Sequence, residues 1–170
     1  MNRIEAGNQA TKAVAADVRG QLVEPWLEAT RAALGEMAGT EVSVKAIYKA
    51  PGQDKLGELN AVVPITSSSL RALILSFPHH TATGLARRIL PEPENVDETL
   101  VQDCVGELAN VVSGQAKALL AGTPYQFTFS LPKVVVGPNP IQLEEGETNL
   151  VIALKCDQGE LALRLVIFSP

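Results

Sequence analysis

The chain has 170 residues, 46% of them hydrophobic, with 14 basic and 19 acidic residues and a net charge of −5. That length makes one domain of ordinary size with room for a real core. The acidic balance, with Arg87-Arg88 as the only basic doublet, argues against broad binding to a nucleic-acid backbone, and no segment reaches the length of a transmembrane span.

Residues 1–19 are polar and alanine-rich and are expected to form an N-terminal arm or a helical extension, leaving 20–170 as a single domain. The first residues, Met1-Asn2-Arg3-Ile4-Glu5-Ala6-Gly7, lack the apolar core of a signal peptide. A helix is predicted from about 21 to 38, with Leu22, Trp26, Leu27, Thr30, Leu34 and Met37 at helical spacing. Pro25 is tolerable only near its start, and Gly39 ends it. Val42, Val44, Ala46 and Tyr48 alternate with polar residues as a strand does, and Pro51-Gly52-Gln53-Asp54 marks a turn. Strands follow over about 58–66 and 70–77. Ser67-Ser68-Ser69 between them lacks the glycines of a nucleophile elbow and reads as a turn. A second helix, about 79–90, stops before Pro91 and Pro93. His79 and His80 at its start are adjacent and share no helix face, so no metal site is expected there.

Asp97 is placed to cap a long third helix of about 98–121. Beyond it lie four strand candidates, 125–130, 132–137, 148–156 and 160–168, the last two joined by the hairpin signal Asp157-Gln158-Gly159. This order predicts an α+β fold, a two-layer α/β sandwich. Each half opens with a long helix followed by strands, which suggests a degenerate internal duplication. Cys104 and Cys156, far apart and with no secretion signal, are expected to be buried thiols in a reducing cytoplasm rather than a disulfide.

The third helix carries the most informative stretch, Asp103-Cys104-Val105-Gly106-Glu107-Leu108-Ala109-Asn110-Val111-Val112-Ser113-Gly114-Gln115-Ala116-Lys117. Residues three apart share a helical face, so Glu107 and Asn110 should project side by side. At about 100° per residue from Glu107, Asp103 falls near −40°, Asn110 near −60°, Gly114 near −20° and Lys117 near −80°. Val101, Val105, Leu108, Val112, Ala116 and Leu119 fall roughly between 100° and 180° and form the buried stripe. The pair therefore faces outward. Gly106 and Gly114 flank it, each costing a helix interior about 1 kcal/mol relative to alanine, and they lower the profile so that another backbone can come close. The arrangement reads as a docking surface with two polar side chains at its centre. Asp103 and Lys117 on the same face read first as solvated helix residues and second as docking support.

If the group to be met is an activated phosphoryl, the part each side chain could play follows from its chemistry. A carboxamide both donates to and accepts from a water, and so can hold it in line with phosphorus without bringing negative charge to the phosphoryl oxygens. A glutamate has the wrong sign for that group and should instead meet a cation on the partner.

The segment resembles the CheX/CheC/FliY chemotaxis phosphatases, which dephosphorylate the response regulator CheY. The family signature is a Glu-x-x-Asn on a surface helix, here Gly106-Glu107-Leu108-Ala109-Asn110, followed by Gly114-Gln115-Ala116-Lys117. A downstream strand with a proline, a β-branched run and a glycine is matched by Leu131-Pro132-Lys133-Val134-Val135-Val136-Gly137. The first long helix offers Glu24-Pro25-Trp26-Leu27 and Glu28-Ala29-Thr30-Arg31, neither ending in asparagine. With a single motif copy, the chain is most similar to the CheX type.

The resemblance implies a cytoplasmic phosphatase acting on the aspartyl phosphate of a CheY-like receiver domain. Glu107 and Asn110 would be its catalytic residues, and Asp103, Gly106, Gly114 and Lys117 candidate partner-docking residues. In the family the glutamate pairs with the regulator's lysine and the asparagine enters its acid pocket. The Mg2+ there belongs to the regulator, and no metal or cofactor of this chain's own is expected. A homodimer is also implied. No nucleic-acid or membrane partner is expected. The alternative is a CheX-like binding module that docks on a regulator or signalling complex without hydrolysis. An unrelated α+β interaction protein is less well supported, because 4% aromatic residues offer no obvious anchor for a binding hot spot.

Overall fold

The structure is a computed structural model that describes residues 18–51 and 54–168. Of the expected N-terminal arm, residues 1–17 lie outside the described residues. The chain enters through a π-helical turn, Arg19–Val23, and continues as helix α1, Glu24–Ala38. Pro25 follows directly on the π-helical turn, where the Glu24 N–H reaches back to the Arg19 carbonyl and the bonding ladder is already shifted beside the residue that lacks an N–H. The helix ends at Gly39, whose φ of 60° is left-handed and whose N–H reaches the Gly35 carbonyl at 3.1 Å.

The remaining elements are β1 (Ser43–Ala50), β2 (Leu59–Thr66), β3 (Leu70–Phe77), α2 (His79–Ile89), α3 (Glu98–Leu120), β4 (Thr128–Phe129), β5 (Lys133–Val136), β6 (Glu147–Cys156) and β7 (Gly159–Phe168). They make one sheet, ordered β1-β6-β7-β3-β2, with β4 and β5 both pairing along the remaining edge of β2 and every pair antiparallel. Exchanging β1 with β5, β2 with β6 and β3 with β7 returns the order β1-β6-β7-β3-β2-β5 reversed. The duplication read from the sequence is therefore present in the strand order, with a pseudo-two-fold between β3 and β7 that makes α1 and α3 counterparts.

Strand residues alternate between the two faces. Leu59, Ala61 and Val63 of β2, Leu73, Leu75 and Phe77 of β3, Leu150, Ile152 and Leu154 of β6, and Leu161, Leu163 and Leu165 of β7 are buried in the main core with the three helices. The opposite face is covered by loops. Ala72, Ile74 and Val166 pack with Ile141, and the loops join through Lys55 and Pro140. Arg164, on that face, donates to Ser76 Oγ at 3.2 Å and to the Lys55 carbonyl at 3.1 Å, and pairs with Asp54. That pairing anchors the covering loop. Cys104 and Cys156 are free and buried, as expected.

Three details differ from the sequence reading. The strand expected over 125–130 shrinks to Thr128–Phe129. A turn occupies the preceding residues, with Thr123 Oγ1 donating to the Leu120 carbonyl at 2.7 Å and the Gln126 N–H to the Thr123 carbonyl at 3.2 Å. Phe127 then turns inward and stacks on Trp26, ring centroids 5.1 Å apart. Leu119, expected in the buried stripe, is 42% exposed, and Leu120 is buried in its place. Successive helical side chains diverge by about 100°, so only one of two neighbours can face the core in the last turn. The first strand, Ser43–Ala50, breaks the expected alternation of Val42, Val44, Ala46 and Tyr48 with a register shift between Val44 and Ala46, so that Ile47 is buried and Ala46 exposed.

Candidate active site

Helix α3 is fixed at its start by Asp97, whose Oδ1 accepts from the Leu100 N–H at 2.9 Å, a cap worth about 1 kcal/mol. Glu98 in the first turn reaches His79 Nε2 of α2 at 2.7 Å, and the His79 N–H donates to Glu58 at 3.2 Å. These bonds tie the start of α3 to the start of β2. The far end of α3 leads through a short turn into β4, which pairs with Ile65 and Thr66 at the end of β2. The helix therefore runs parallel to β2. Its inner side is set by Val101, Val105, Leu108, Ala109, Val112 and Ala116, all buried, so its rotation about its own axis is fixed.

That rotation places Glu107 and Asp103 in solvent and Asn110 half-buried, with Gly106 half-buried and Gly114 and Lys117 exposed. All six candidate residues lie on one outward face, as the spacing predicted. Within the described residues, the side chains of Asp103, Glu107, Asn110 and Lys117 have no hydrogen-bond or ion-pair partner. Elsewhere the structure pairs comparable groups: Lys45 with Glu160, Arg88 with Asp157 at 2.8 Å, Arg71 with Glu147. A carboxylate and a carboxamide one turn apart and unengaged are free to meet a second molecule. A Cβ at Gly114 would meet nothing within 4 Å, whereas at Gly106 it would meet Val134 Cγ2 at 3.6 Å. Sequence reasoning missed this neighbour. Val134 belongs to β5, so the strand runs alongside the motif. Nothing local to either segment signals that proximity, which follows only from both packing on β2.

Cys104, one turn before the motif's centre, faces inward. Burial pushes its thiol up and the adjacent Asp103 charge adds to the effect, so it is no nucleophile at neutral pH. Among the described residues, no three His, Cys, Asp or Glu side chains gather as a metal site. A cleft of about 530 Å3 opens on the loop-covered side of the sheet, lined by Leu56, Pro78, Pro138, Ala162 and Arg164 among others. No motif residue lines it. A small substrate would favour such a concavity, but the unengaged pair stands on a convex helix, which suits a partner whose own site is the concave one.

The sequence profile of the family described as chemotaxis phosphatase CheX matches residues 59–155, more than half of the chain. The chain belongs to the CheX family. The match runs from the start of β2 almost to the end of β6 and so contains α2, α3 and the whole motif. No curated protein matches the sequence significantly. Among solved structures, a putative chemotaxis protein from Desulfovibrio vulgaris Hildenborough is 26% identical, over 85% of this chain and 95% of that one, with a TM-score of 0.76. The chemotaxis protein CheX from Desulfovibrio desulfuricans is also 26% identical, over 85% and 97%, with a TM-score of 0.75. The CheX of the CheX–CheY–BeF3–Mg2+ complex from Borrelia burgdorferi is 18% identical, over 86% and 97%, with a TM-score of 0.66, and shares the fold. The CheX-type fold expected from the sequence is thus the fold found. Among the described residues no helix is long and apolar enough to cross a membrane.

Proposed function

We propose that this chain is a phosphatase that hydrolyses the aspartyl phosphate of a CheY-like receiver domain, with Glu107 and Asn110 as the working pair. The observation that carries the reading is that both side chains stand on the outer face of α3, one turn apart, with no partner among the described residues. Membership of a family described as chemotaxis phosphatase supports a phosphatase activity, and the CheX crystallised with CheY, BeF3 and Mg2+ supports a receiver as the partner.

An aspartyl phosphate is an acyl phosphate, so its hydrolysis needs a positioned water and charge management rather than a strong base. Asn110 enters the receiver's acidic pocket and orients a water in line with phosphorus. Attack forms the new P–O bond and breaks the bond to the aspartyl oxygen, releasing inorganic phosphate and the free carboxylate. Glu107 meets the receiver's lysine and sets the register of the helix against the phosphoryl group. Mg2+ is held by the receiver, and this chain contributes no ligand to it. The protein acts in the cytoplasm, where receivers are phosphorylated, and as a homodimer.

The test is the decay of a phosphorylated CheY-type receiver in Mg2+ with and without the full chain. A shortened lifetime that scales with the amount of chain supports the phosphatase. Binding without any change in lifetime overturns it in favour of a docking module.

A further inference from the structure

Edge strand β5 lies where a partner on the motif cannot avoid it. It pairs with β2 through Leu59↔Val136, Ala61↔Val134 and Val62↔Lys133. Since Leu59 and Ala61 face the helices, Val134 and Val136 face the same side, and Pro132 follows by alternation. Helix α3 runs parallel to β2 and so antiparallel to β5, and the approach of Gly106 to Val134 Cγ2, 3.6 Å from a Cβ built there, fixes their register. From Pro132 to Val136 the strand covers about 13 Å at roughly 3.3 Å per residue. From Asp103 to Val111 the helix covers about 12 Å at 1.5 Å per residue. The two lengths coincide, so Pro132, Val134 and Val136 form a rail beside the motif. On the helical wheel Asn110 lies about 60° from Glu107 towards Gly106, which puts the carboxamide on the rail side.

The rail is apolar and open. Val136 is 59% exposed, while Pro132 and Val134 are half-buried, so the rail opens to solvent at its Val136 end. Both free edges carry lysine, Lys45 and Lys49 on β1 and Lys133 on β5, the usual protection of a free edge. Lys133, however, pairs with Val62 and so points away from the helices, leaving the rail itself uncharged. The motif itself is polar and cannot by itself supply the apolar anchor that dominates most protein interfaces.

Building on the phosphatase reading, we propose that the receiver docks on a two-element platform: the Glu107/Asn110 face of α3 and the Pro132-Val134-Val136 rail of β5. The rail takes an apolar surface side chain of the receiver. Gly106 is the seam between the two elements, and a small residue there lets the partner touch both. The rail supplies affinity and register, while the chemistry stays with Asn110.

The probe is a CheY-type receiver loaded with BeF3 and Mg2+, titrated against the full chain, with phosphoryl-receiver decay measured in parallel. Val136→Asp is expected to weaken binding at least tenfold while the rate at saturating chain stays within twofold. Lys49→Asp on the opposite edge is expected to leave both unchanged. Val136→Thr, equal in shape and at an exposed site, guards against misfolding of the aspartate variant and should weaken binding in the same direction. Unchanged binding by both Val136 variants, with binding still sensitive to Glu107→Ala, overturns the rail and leaves the phosphatase reading standing. A change in oligomeric state with binding per subunit unchanged overturns it in favour of an interface between two copies. No binding by the unsubstituted chain overturns both readings.

Discussion

The two long helices, related by the pseudo-two-fold of the sheet, hold equivalent places but differ on the candidate face, where Leu27, Arg31 and Ala38 of α1 stand for Gly106, Asn110 and Lys117 of α3. Helix α1 carries Glu28, Arg31 and Gly35, and α3 carries Glu107, Asn110 and Gly114, at identical spacing. Both glutamates are exposed, and a Cβ at either glycine would meet nothing within 4 Å. The middle residue separates them. Arg31 turns its guanidinium back on its own domain and donates to the Val42 carbonyl at 3.3 Å, whereas Asn110 has no partner among the described residues. On α1 this position is closed on its own domain, and on α3 it is left open. A position that could be satisfied internally and is not is the better marker of function.

The largest effect tests the residue in which the halves differ. Asn110→Ala is expected to slow receiver dephosphorylation by about 10²–10³, the usual loss when one positioned polar group is removed, with binding largely kept. Arg31→Ala should leave the rate unchanged. Arg31→Asn, which completes a Glu-x-x-Asn on α1, should add no activity, because α1 has Leu27 in place of the seam glycine Gly106. A second active face in that variant would show the motif to be sufficient alone. The readout in each case is the phosphoryl half-life at saturating chain.

Next comes the residue that the halves share. Glu107→Ala should weaken receiver binding by about tenfold, near 1.4 kcal/mol, the scale on which removing a charge-assisted hydrogen bond weakens an interface. Glu28→Ala should do nothing to binding. Both sites are solvent-facing and alanine is the best helix former, so thermal unfolding should be unchanged or slightly raised in both variants. Equal loss of binding in both would mean that α1 is also a docking surface.

Much of this is legible in the sequence because it is local. Helical phase alone puts Glu107, Asn110, Asp103, Gly106, Gly114 and Lys117 on one outward face. The Asp97 cap, the Gly39 stop and the hairpin before Gly159 follow from single residues whose chemistry fixes the backbone. What escapes is non-local. The rail beside Gly106 depends on two segments about 28 residues apart meeting on β2. The Arg164–Asp54 anchor joins residues 110 positions apart, and an arginine inside an apolar strand gives no sign of its partner. Leu119 is misplaced by periodicity because helical phase does not say where the sheet beneath ends.

The glycine pair gives a smaller, matched test. Gly35→Ala and Gly114→Ala each enter open space, and each should stabilise the chain by up to about 1 kcal/mol in denaturant unfolding. If Gly114 keeps the profile low for a docking partner, only its variant should also bind the receiver more weakly. Equal stabilisation with equal binding would make both glycines relics of the duplication.

The smallest expected effect lies at the start of α3, where a link with no counterpart on α1 among the described residues sets the helix. Glu98 is held below its ordinary value of 4.5, chiefly by the hydrogen bond from His79 and also by that side chain's charge and a bond from Gln102. Partial burial and the neighbouring Asp97 charge oppose the shift. A carboxyl whose folded-state value is depressed binds its proton less readily than in the unfolded chain. Its contribution is therefore fully present above about pH 4.5 and is lost as the pH falls through the lower, folded value. Both side chains are about half exposed, so the contribution is small and falls with salt. Glu98→Gln should be slightly less stable than the parent at pH 7, and the gap should close on acidification below pH 4.5. A gap that stayed constant across that range, followed by unfolding at fixed salt, would assign the role of Glu98 to packing rather than to charge. The free face of α3 would then be aimed by Asp97 and the apolar stripe alone.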